Sequence, residues 1–252
     1  MMNRQRGFTL IELILTVVVV AIVAMAASNT LLLGFQSYST SIDRQDTQMQ
    51  AKFVIEKFSR ELRHAVPNSI DASNGGECVS FVSIEASAFY LSLPLVGEDS
   101  IDTVIMSTNF LDLDNTRLTI NPSTQKDLIE ASSLRYVSVN SVSMSSGVST
   151  INFSSNNNPA FISNSTSERA FFYQPEVIEY CIQDNGVYRS RINASGDRVS
   201  TVQLANQVSS GKFEFESASM HRNSTVRMVL AFTNGLDEVT QYQHDVQVMN
   251  VP

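Results

Sequence analysis

The chain has 252 residues, enough for one good-sized globular domain with an appendage. Its 25 acidic and 17 basic side chains give a formal net charge of −8, which argues against nucleic acid as the main partner because phosphate binding needs a basic face. Hydrophobic residues make up 43% of the chain, so wholesale disorder is excluded.

An apolar segment runs from Phe8 to Ala27 near the N-terminus, preceded by Arg4 and Arg6. As a helix, this segment would span about 30 Å, one bilayer core. The arginines ahead of it predict a cytoplasmic N-terminus and a single pass that places the remainder of the chain across the membrane. The alternatives are a plain membrane anchor and a cleaved secretory signal, in which residues 24–26 would imitate the cleavage site.

Glu12 lies inside this segment, where a carboxylate costs roughly 2.5–3.5 kcal/mol and is usually functional, with a partner. The segment itself contains no lysine or arginine. Cleavage between Gly7 and Phe8 would create an α-amino group one helical turn before Glu12. The first amines of a helix point along its axis, so the amine of a neighbouring subunit is the better donor. We therefore predict that Gly7 marks a cut and that Glu12 binds the end that the cut exposes in an adjacent subunit.

The motif GFTLIEL, residues 7–13, resembles the class III signal of type IV pilins and type II secretion pseudopilins. The resemblance implies cleavage after Gly7 by a prepilin peptidase, N-methylation of Phe8, and Glu12 as the glutamate used in assembly. It implies prepilin peptidase, the inner membrane, and other pilin and minor pilin subunits as partners. The expected location is the inner membrane, with a periplasmic C-terminal domain, and then a pilus or pseudopilus filament.

The helical pattern continues past the membrane segment to Val66. Apolar residues recur at helical spacing on one face: Ala51, Val54, Ile55, Phe58, Leu62, Ala65 and Val66. The opposite face is charged and is interpreted as solvated, with Glu56–Arg60 and Lys57–Glu61 pairs. Pro67 then ends the helix.

Beyond Pro67 the apolar period changes to two, which predicts strands. Alternation is seen at 89, 91, 93 and 95 and again at 226, 228, 230 and 232. Residues 177–191 predict a hairpin turning at 184–186, and Asn234-Gly235 predicts a second turn. Residues 138–167, rich in serine and asparagine, predict strands joined by long polar loops.

The predicted fold class is therefore α+β, with a long N-terminal helix packed against an antiparallel β-rich domain of pilin type. The predicted divisions are a leader at 1–7, a transmembrane helix at 8–30, a periplasmic amphipathic stalk helix at 31–66, and the β-rich domain at 67–252.

The two cysteines, Cys78 and Cys181, lie far apart and form no zinc-binding pattern. In an exported domain a disulfide between them is favoured over two unrelated buried thiols.

No enzyme motif surrounds the three histidines, His64, His221 and His244. His64 is interpreted as a surface or capping residue. The segment Asp112-Leu113-Asp114-Asn115 faintly suggests calcium, but the spacing of a calcium-binding loop is absent. We therefore expect no enzyme activity, no cofactor and no metal. A local basic patch of Arg189, Arg191 and Arg198 is the remaining argument for nucleic acid, which is not expected as a partner.

Three segments narrow the resemblance: residues 53–70, 179–191 and 246–252. They are similar to the minor pilins of MSHA-type pili, within the wider group of PilW-like minor pilins and J-class minor pseudopilins. This implies a minor pilin at the start or tip of a filament. Two alternatives remain open: a tip adhesin that binds a surface glycan or another cell through the polar loops, and a minor pseudopilin of a type II secretion system.

Overall fold

The computed structural model describes residues 7–94, 97–105, 113–131, 133, 135–153, 161, 163–217 and 224–248. A long helix, α1, comes first, and a short helix, α2, lies within a set of antiparallel strands. The elements in chain order are α1 (Leu10–Arg63), β1 (Asp71–Ser73), β2 (Cys78–Tyr90), β3 (Ser100–Ile105), β4 (Arg117–Thr119), α2 (Lys126–Ile129), β5 (Tyr136–Ser145), β6 (Val148–Phe153), β7 (Arg169–Gln183), β8 (Gly186–Asn193), β9 (Arg198–Ala205), β10 (Val208–Glu216), β11 (Ser224–Thr233) and β12 (Val239–Val248). This order confirms the predicted α+β class.

Helix α1 is one continuous element of 54 residues, and it is shorter at both ends than predicted. Thr9 is extended, so the helix begins at Leu10 rather than at residue 8. At the other end the helix stops at Arg63 rather than at residue 66, because the chain turns to meet β2. Ala65 forms a bridge with Ser83, and the Val66 amide donates to Val82 O at 2.8 Å. Val66 precedes Pro67, a position that disfavours helical backbone.

The two halves of α1 have different surroundings. Residues 7–39 are all exposed, and the domain begins to cover the helix at Thr40. Within the covered half, Ala51, Val54, Phe58 and Leu62 are fully buried, as the helical spacing predicts. The predicted boundary between residues 30 and 31 lies inside the exposed half of this continuous helix.

Six of the strands close into a ring. The pairing runs from β2 to β3, β6, β5, β4 and β7 and then returns to β2, with every pair antiparallel. Alternate side chains fill the interior, as expected for a small barrel: Ala86, Ala88, Tyr90, Ile101, Ile105, Leu118, Val137, Val139, Ile151, Phe153, Ala170 and Phe172. The interior of the ring is therefore a packed core.

Strands β2 and β7 extend beyond the ring, where they continue the same nine-stranded sheet with β1, β8 and β9. This part is here called the helix-side sheet. A separate sheet of β10, β11 and β12 packs near it. Phe58 of α1 contacts both, with ring centroids 5.1 Å from Tyr180 and 5.4 Å from Phe213. One hydrophobic core thus joins α1, the helix-side sheet and the three-stranded sheet.

The predicted alternation was right for β11 and wrong for the end of β2. Val226, Met228, Leu230 and Phe232 are all buried. On β2, by contrast, Phe89 and Leu91 are exposed and the strand ends at Tyr90. Tyr90, with Ala86 and Ala88, faces the ring interior instead. Leu95 lies outside the described residues.

The predicted hairpin between β7 and β8 is present, with a shorter turn. Asp184 and Asn185 both have positive φ, and Gln183 pairs with Gly186, so two residues make the turn and Gly186 belongs to β8. The turn between β11 and β12 is longer than Asn234-Gly235. It extends to Glu238, whose amide donates to the Asn234 side chain at 2.9 Å.

Candidate assembly surface and its supporting contacts

The N-terminal end of α1 is presented without cover from the domain. Gly7 is exposed, Phe8 has 68% of its surface exposed, and Glu12 lies in the first helical turn. Among the described residues, none forms a hydrogen bond or ion pair with the Glu12 carboxylate. The leader residues 1–6, with Arg4 and Arg6, lie outside the described part of the chain.

Three hydroxyl groups in the uncovered half of α1 donate to carbonyl groups of the helix itself. Thr16 donates to Leu13 O at 2.8 Å, Ser28 to Ala24 O at 2.8 Å, and Thr30 to Ala26 O at 2.7 Å. Such bonds allow polar residues in a membrane helix. Glu12 is the one charged residue of the sequence between Phe8 and Ala27, and no equivalent local contact serves it. Its carboxylate is therefore available to another chain.

An uncovered apolar stripe runs along α1, and our sequence analysis missed it. The stripe consists of Leu31, Phe35, Tyr38, Ile42, Met49 and Phe53, whose exposed fractions run from 46% at Ile42 to 70% at Phe35. At about 100° per residue, their spacing places the stripe opposite the buried residues Val54 and Phe58. The spacing was readable in the sequence, but the charged residues within 52–63 on the face opposite the buried one indicated a solvated surface there.

Glu61 anchors the covered half of α1 to the helix-side sheet. Its carboxylate accepts hydrogen bonds from the Tyr180 hydroxyl and from Arg189 Nε, both at 2.8 Å, and Lys57 Nζ lies 3.1 Å away. Burial acts to raise the pKa of Glu61, but the bonds from Arg189 and Tyr180 outweigh it and hold the pKa below its ordinary value. Glu61 is only 20% exposed, so the interpretation of this face as solvated is wrong at this residue. The sequence predicted Arg60 as the partner of Glu56, but the structure pairs Glu56 with Lys52, 3.8 Å away.

The suggested basic patch is neutralised by carboxylates. Arg189 binds Glu61, Arg191 Nε lies 2.9 Å from Glu176, and Arg198 lies 2.6 Å from Glu179. A phosphate backbone would have to displace these acids, so the three arginines give no support for nucleic-acid binding.

Cys78 and Cys181 form a disulfide, as predicted. They lie directly opposite each other in the β2–β7 pair, with a Cα–Cα distance of 4.2 Å, and both are buried. Glu179 lies close enough to the two sulfurs to suggest a metal site. Because the sulfurs are bonded to each other, neither is a free thiolate ligand.

The remaining candidates from the sequence are only partly described. His64 is the exposed C-cap residue of α1, as interpreted, and His244 lies half-buried on β12. His221 and Asp112 lie outside the described residues, so the faint calcium pattern stays untested.

Comparison with known proteins identifies the N-terminal segment. Residues 2–28 match the family model described as the prokaryotic N-terminal methylation motif. The chain carries a prepilin-type signal. This signal supports a type IV pilin-like protein, processed by prepilin peptidase and assembled with other pilins. No curated protein and no solved structure shows significant similarity to the chain.

The prepilin-type signal coincides with the uncovered half of α1. Among the described residues, α1 is the helix long and apolar enough to cross a membrane. The match contains Gly7, Phe8 and Glu12, the residues left exposed at the helix start. The arrangement is consistent with anchoring in a membrane through α1.

Proposed function

We propose that this protein is a minor pilin of a type IV pilus, inserted in the inner membrane and built into a filament after processing. The observation that carries the proposal is the prepilin-type signal at the start of a helix whose first half is left uncovered by its own domain. Prepilin peptidase would hydrolyse the Gly7–Phe8 peptide bond and leave a new α-amino group on Phe8, which is then N-methylated.

The new amine and Glu12 provide the assembly contact. The Phe8 amine of one subunit pairs with the Glu12 carboxylate of its neighbour, so each subunit supplies one charge to each of two contacts. An unpaired carboxylate among apolar helices is costly, and the pair therefore favours one relative position of adjacent helices. The absence of any described partner for Glu12 within its own chain supports this role.

The apolar stripe extends the same contact beyond the membrane. Leu31, Phe35 and Tyr38 continue the uncovered surface toward the domain, while Ile42, Met49 and Phe53 carry it along the covered half of α1. Packing against a second helix would remove this stripe from water, which gives assembly a hydrophobic driving force of about 25 cal/mol per Å² buried. The domain, attached to the opposite face, would then lie on the outside of the filament.

A narrower assignment is proposed from the sequence resemblance: a minor pilin of an MSHA-type pilus similar to the biogenesis protein MshO, acting at filament initiation or at the tip. Two of the three supporting segments, 53–70 and 179–191, contact each other through Glu61 with Tyr180 and Arg189. Residues 249–252 of the third segment lie outside the described chain. We propose a structural role and no enzymatic one.

Substitution of Glu12 tests the proposal. With Glu12→Ala as the sole copy in the native host, we expect normal cleavage before Phe8 and loss of the protein from filaments, because the cut amine of the neighbour loses its acceptor. Mass spectrometry of the N-terminus and immunodetection in sheared filaments measure the two steps.

Glu130→Ala is the matched control, since it removes one exposed carboxylate from the domain rather than from α1. We expect it to be cleaved and incorporated normally. Normal incorporation of Glu12→Ala, or a mature N-terminus at any residue other than Phe8, would overturn the proposal. If the Glu12→Ala strain loses secretion of an exoprotein and keeps its surface filaments, the subunit belongs to a type II secretion system.

A further inference from the structure

A polar groove lies between the C-terminal end of α1 and strand β12, beyond the last residue of the apolar stripe, Phe53. Its walls are formed by Ile55, Arg60, Arg63, His64 and His244, with Ser59 also lining it. Glu56 stands at its rim, 3.8 Å from Lys52. The groove therefore gathers two arginines and two histidines beside one carboxylate, on a protein whose net charge is −8 with histidine counted as neutral.

Arg60 and Arg63 differ from every other arginine of the described residues in having no partner there. Arg44, Arg135, Arg189, Arg191, Arg198 and Arg227 are ion-paired with carboxylates, Arg117 donates to backbone carbonyls, and Arg169 lies over the Phe89 ring. Favourable interaction with the negative end of the helix accounts for basic residues in the last turn of α1. It does not account for two guanidinium groups on the same groove that have no ion pair with any described residue.

Ser59 supplies an independent sign of a missing partner. It is only 8% exposed, and its Oγ atom is buried without a hydrogen-bond partner among the described residues. A helical serine ordinarily satisfies its hydroxyl by donating to a carbonyl one turn earlier, as Ser28 and Ser41 do in this helix. A buried hydroxyl left unpaired is costly, and Ser59 lines the groove, so rotation of its side chain toward a group seated there would give the hydroxyl a partner.

We propose that this groove, here called the helix-end groove, binds a carboxylate presented by another protein chain. Guanidinium groups bind carboxylates with two parallel hydrogen bonds, and Ser59 and the two histidines offer further donors. Ile55 gives an apolar wall for the methylene groups of a glutamate. Arg60 lies about 45 Å along the helix from Thr30, so lipid headgroups are out of reach. The inference goes beyond the function proposed above, and its exclusion of lipid rests on the membrane segment of α1.

The test uses the full chain in non-ionic detergent micelles and a fluorescein-labelled peptide of six glutamates at low salt, followed by fluorescence anisotropy. We expect saturable binding that the double change Arg60→Gln and Arg63→Gln weakens by about tenfold or more. The matched control, Arg191→Gln with Arg198→Gln, removes the same two charges elsewhere and should leave the affinity within about twofold, since those arginines already have partners. Equal weakening by both double variants, or no binding by the unmodified chain, would overturn the proposal.

Two further measurements separate the alternatives. Inorganic phosphate at matched ionic strength should displace the labelled peptide poorly. If phosphate displaces it as effectively as unlabelled glutamate peptide does, the groove binds a small anion and the proposal of a protein ligand is overturned. Ser59→Ala should weaken peptide binding without lowering the unfolding midpoint, because the hydroxyl loses no hydrogen bond to any of the described residues. A lowered midpoint with unchanged binding would contradict the place of Ser59 in the site.

Discussion

Two glutamates on the same helix show how differently this protein treats its carboxylates. Glu61 has donors from Tyr180, Arg189 and Lys57, all belonging to its own chain. Glu12 has none among the described residues. The first carboxylate fixes the helix to its domain, and the second remains available for a contact that the folded monomer does not make.

Gly186 is a residue whose identity follows from its surroundings. A Cβ atom built there would lie 2.8 Å from Ala205 O and 2.8 Å from Gln203 Nε2, and the first of these is backbone that cannot rotate away. Gly186→Ala should therefore lower the free energy of unfolding by about 1–3 kcal/mol, through displacement of β9. Urea denaturation followed by circular dichroism measures the change.

Gly235→Ala provides the comparison for that experiment. Its nearest neighbour would be the Asp43 carboxylate at 3.4 Å, which can move, and its backbone needs no positive φ. We expect little change in the urea midpoint. If Gly186→Ala is equally neutral, the close approach of β8 and β9 is not a constraint on that residue.

At the scale of elements, the sequence predicted the features that depend on periodicity within one segment. The buried face of α1 and the alternation in β11 follow from repeats within one segment, and both are confirmed. The end of α1 was misplaced because Ala65 and Val66 bond to β2, and no local pattern reports that contact. Phe89 was assigned to the wrong face because ring closure, rather than the local alternation, decides which side of β2 is buried.

The β11–β12 hairpin is attached to α1 by an ion pair whose pH dependence can be measured. Arg44 binds Glu238 through two hydrogen bonds, at 2.9 and 2.6 Å. The bond from Arg44, helped by Asn234, lowers the pKa of Glu238 to about 2 from an ordinary value of 4.5. Because the folded-state pKa is the lower one, the stabilisation is present above pH 4.5 and is lost as the pH falls toward 2.

We therefore expect the thermal midpoint of the unmodified chain to exceed that of Glu238→Gln at pH 6 and the two to converge near pH 2. The difference should shrink at high salt, since the pair is exposed to solvent. Differential scanning calorimetry across this pH range checks the sign. A difference that stays constant from pH 6 to pH 2 would contradict the assigned ion pair.

At the scale of the whole molecule, β2 and β7 hold two substructures together. Each strand contributes one part to the six-stranded ring and another to the helix-side sheet. The closure depends on pairings distant in sequence, such as β3 with β6 and β4 with β7. The sequence of residues 138–167 predicted strands, but no local pattern in it indicated that strands close into a ring. The exposure of Glu12 and the motif around it could be predicted from sequence, whereas the anchoring role of Glu61 required the tertiary contacts.

The disulfide joins the two shared strands and should matter to the whole domain. Cys78→Ala with Cys181→Ala removes a link between residues 103 apart in sequence. We expect a loss of about 2–5 kcal/mol in the free energy of unfolding, largely because the unfolded chain becomes less constrained. Denaturation with and without reductant measures it: reductant should lower the midpoint of the unmodified chain toward that of the variant and leave the variant unchanged. A variant as stable as the oxidised parent would contradict the expectation.

The bridge from the end of α1 to the middle of β2 has a mechanical consequence. His64 O accepts from the Ile84 amide and the Val66 amide donates to Val82 O, so the end of the helix is joined to the domain where β2 passes from the helix-side sheet into the ring. Tension on the helix would reach this joint together with the side-chain contacts that Arg44 and Glu61 make with the domain. A subunit pulled by its own helix would thus carry load through backbone hydrogen bonds and side-chain ion pairs together.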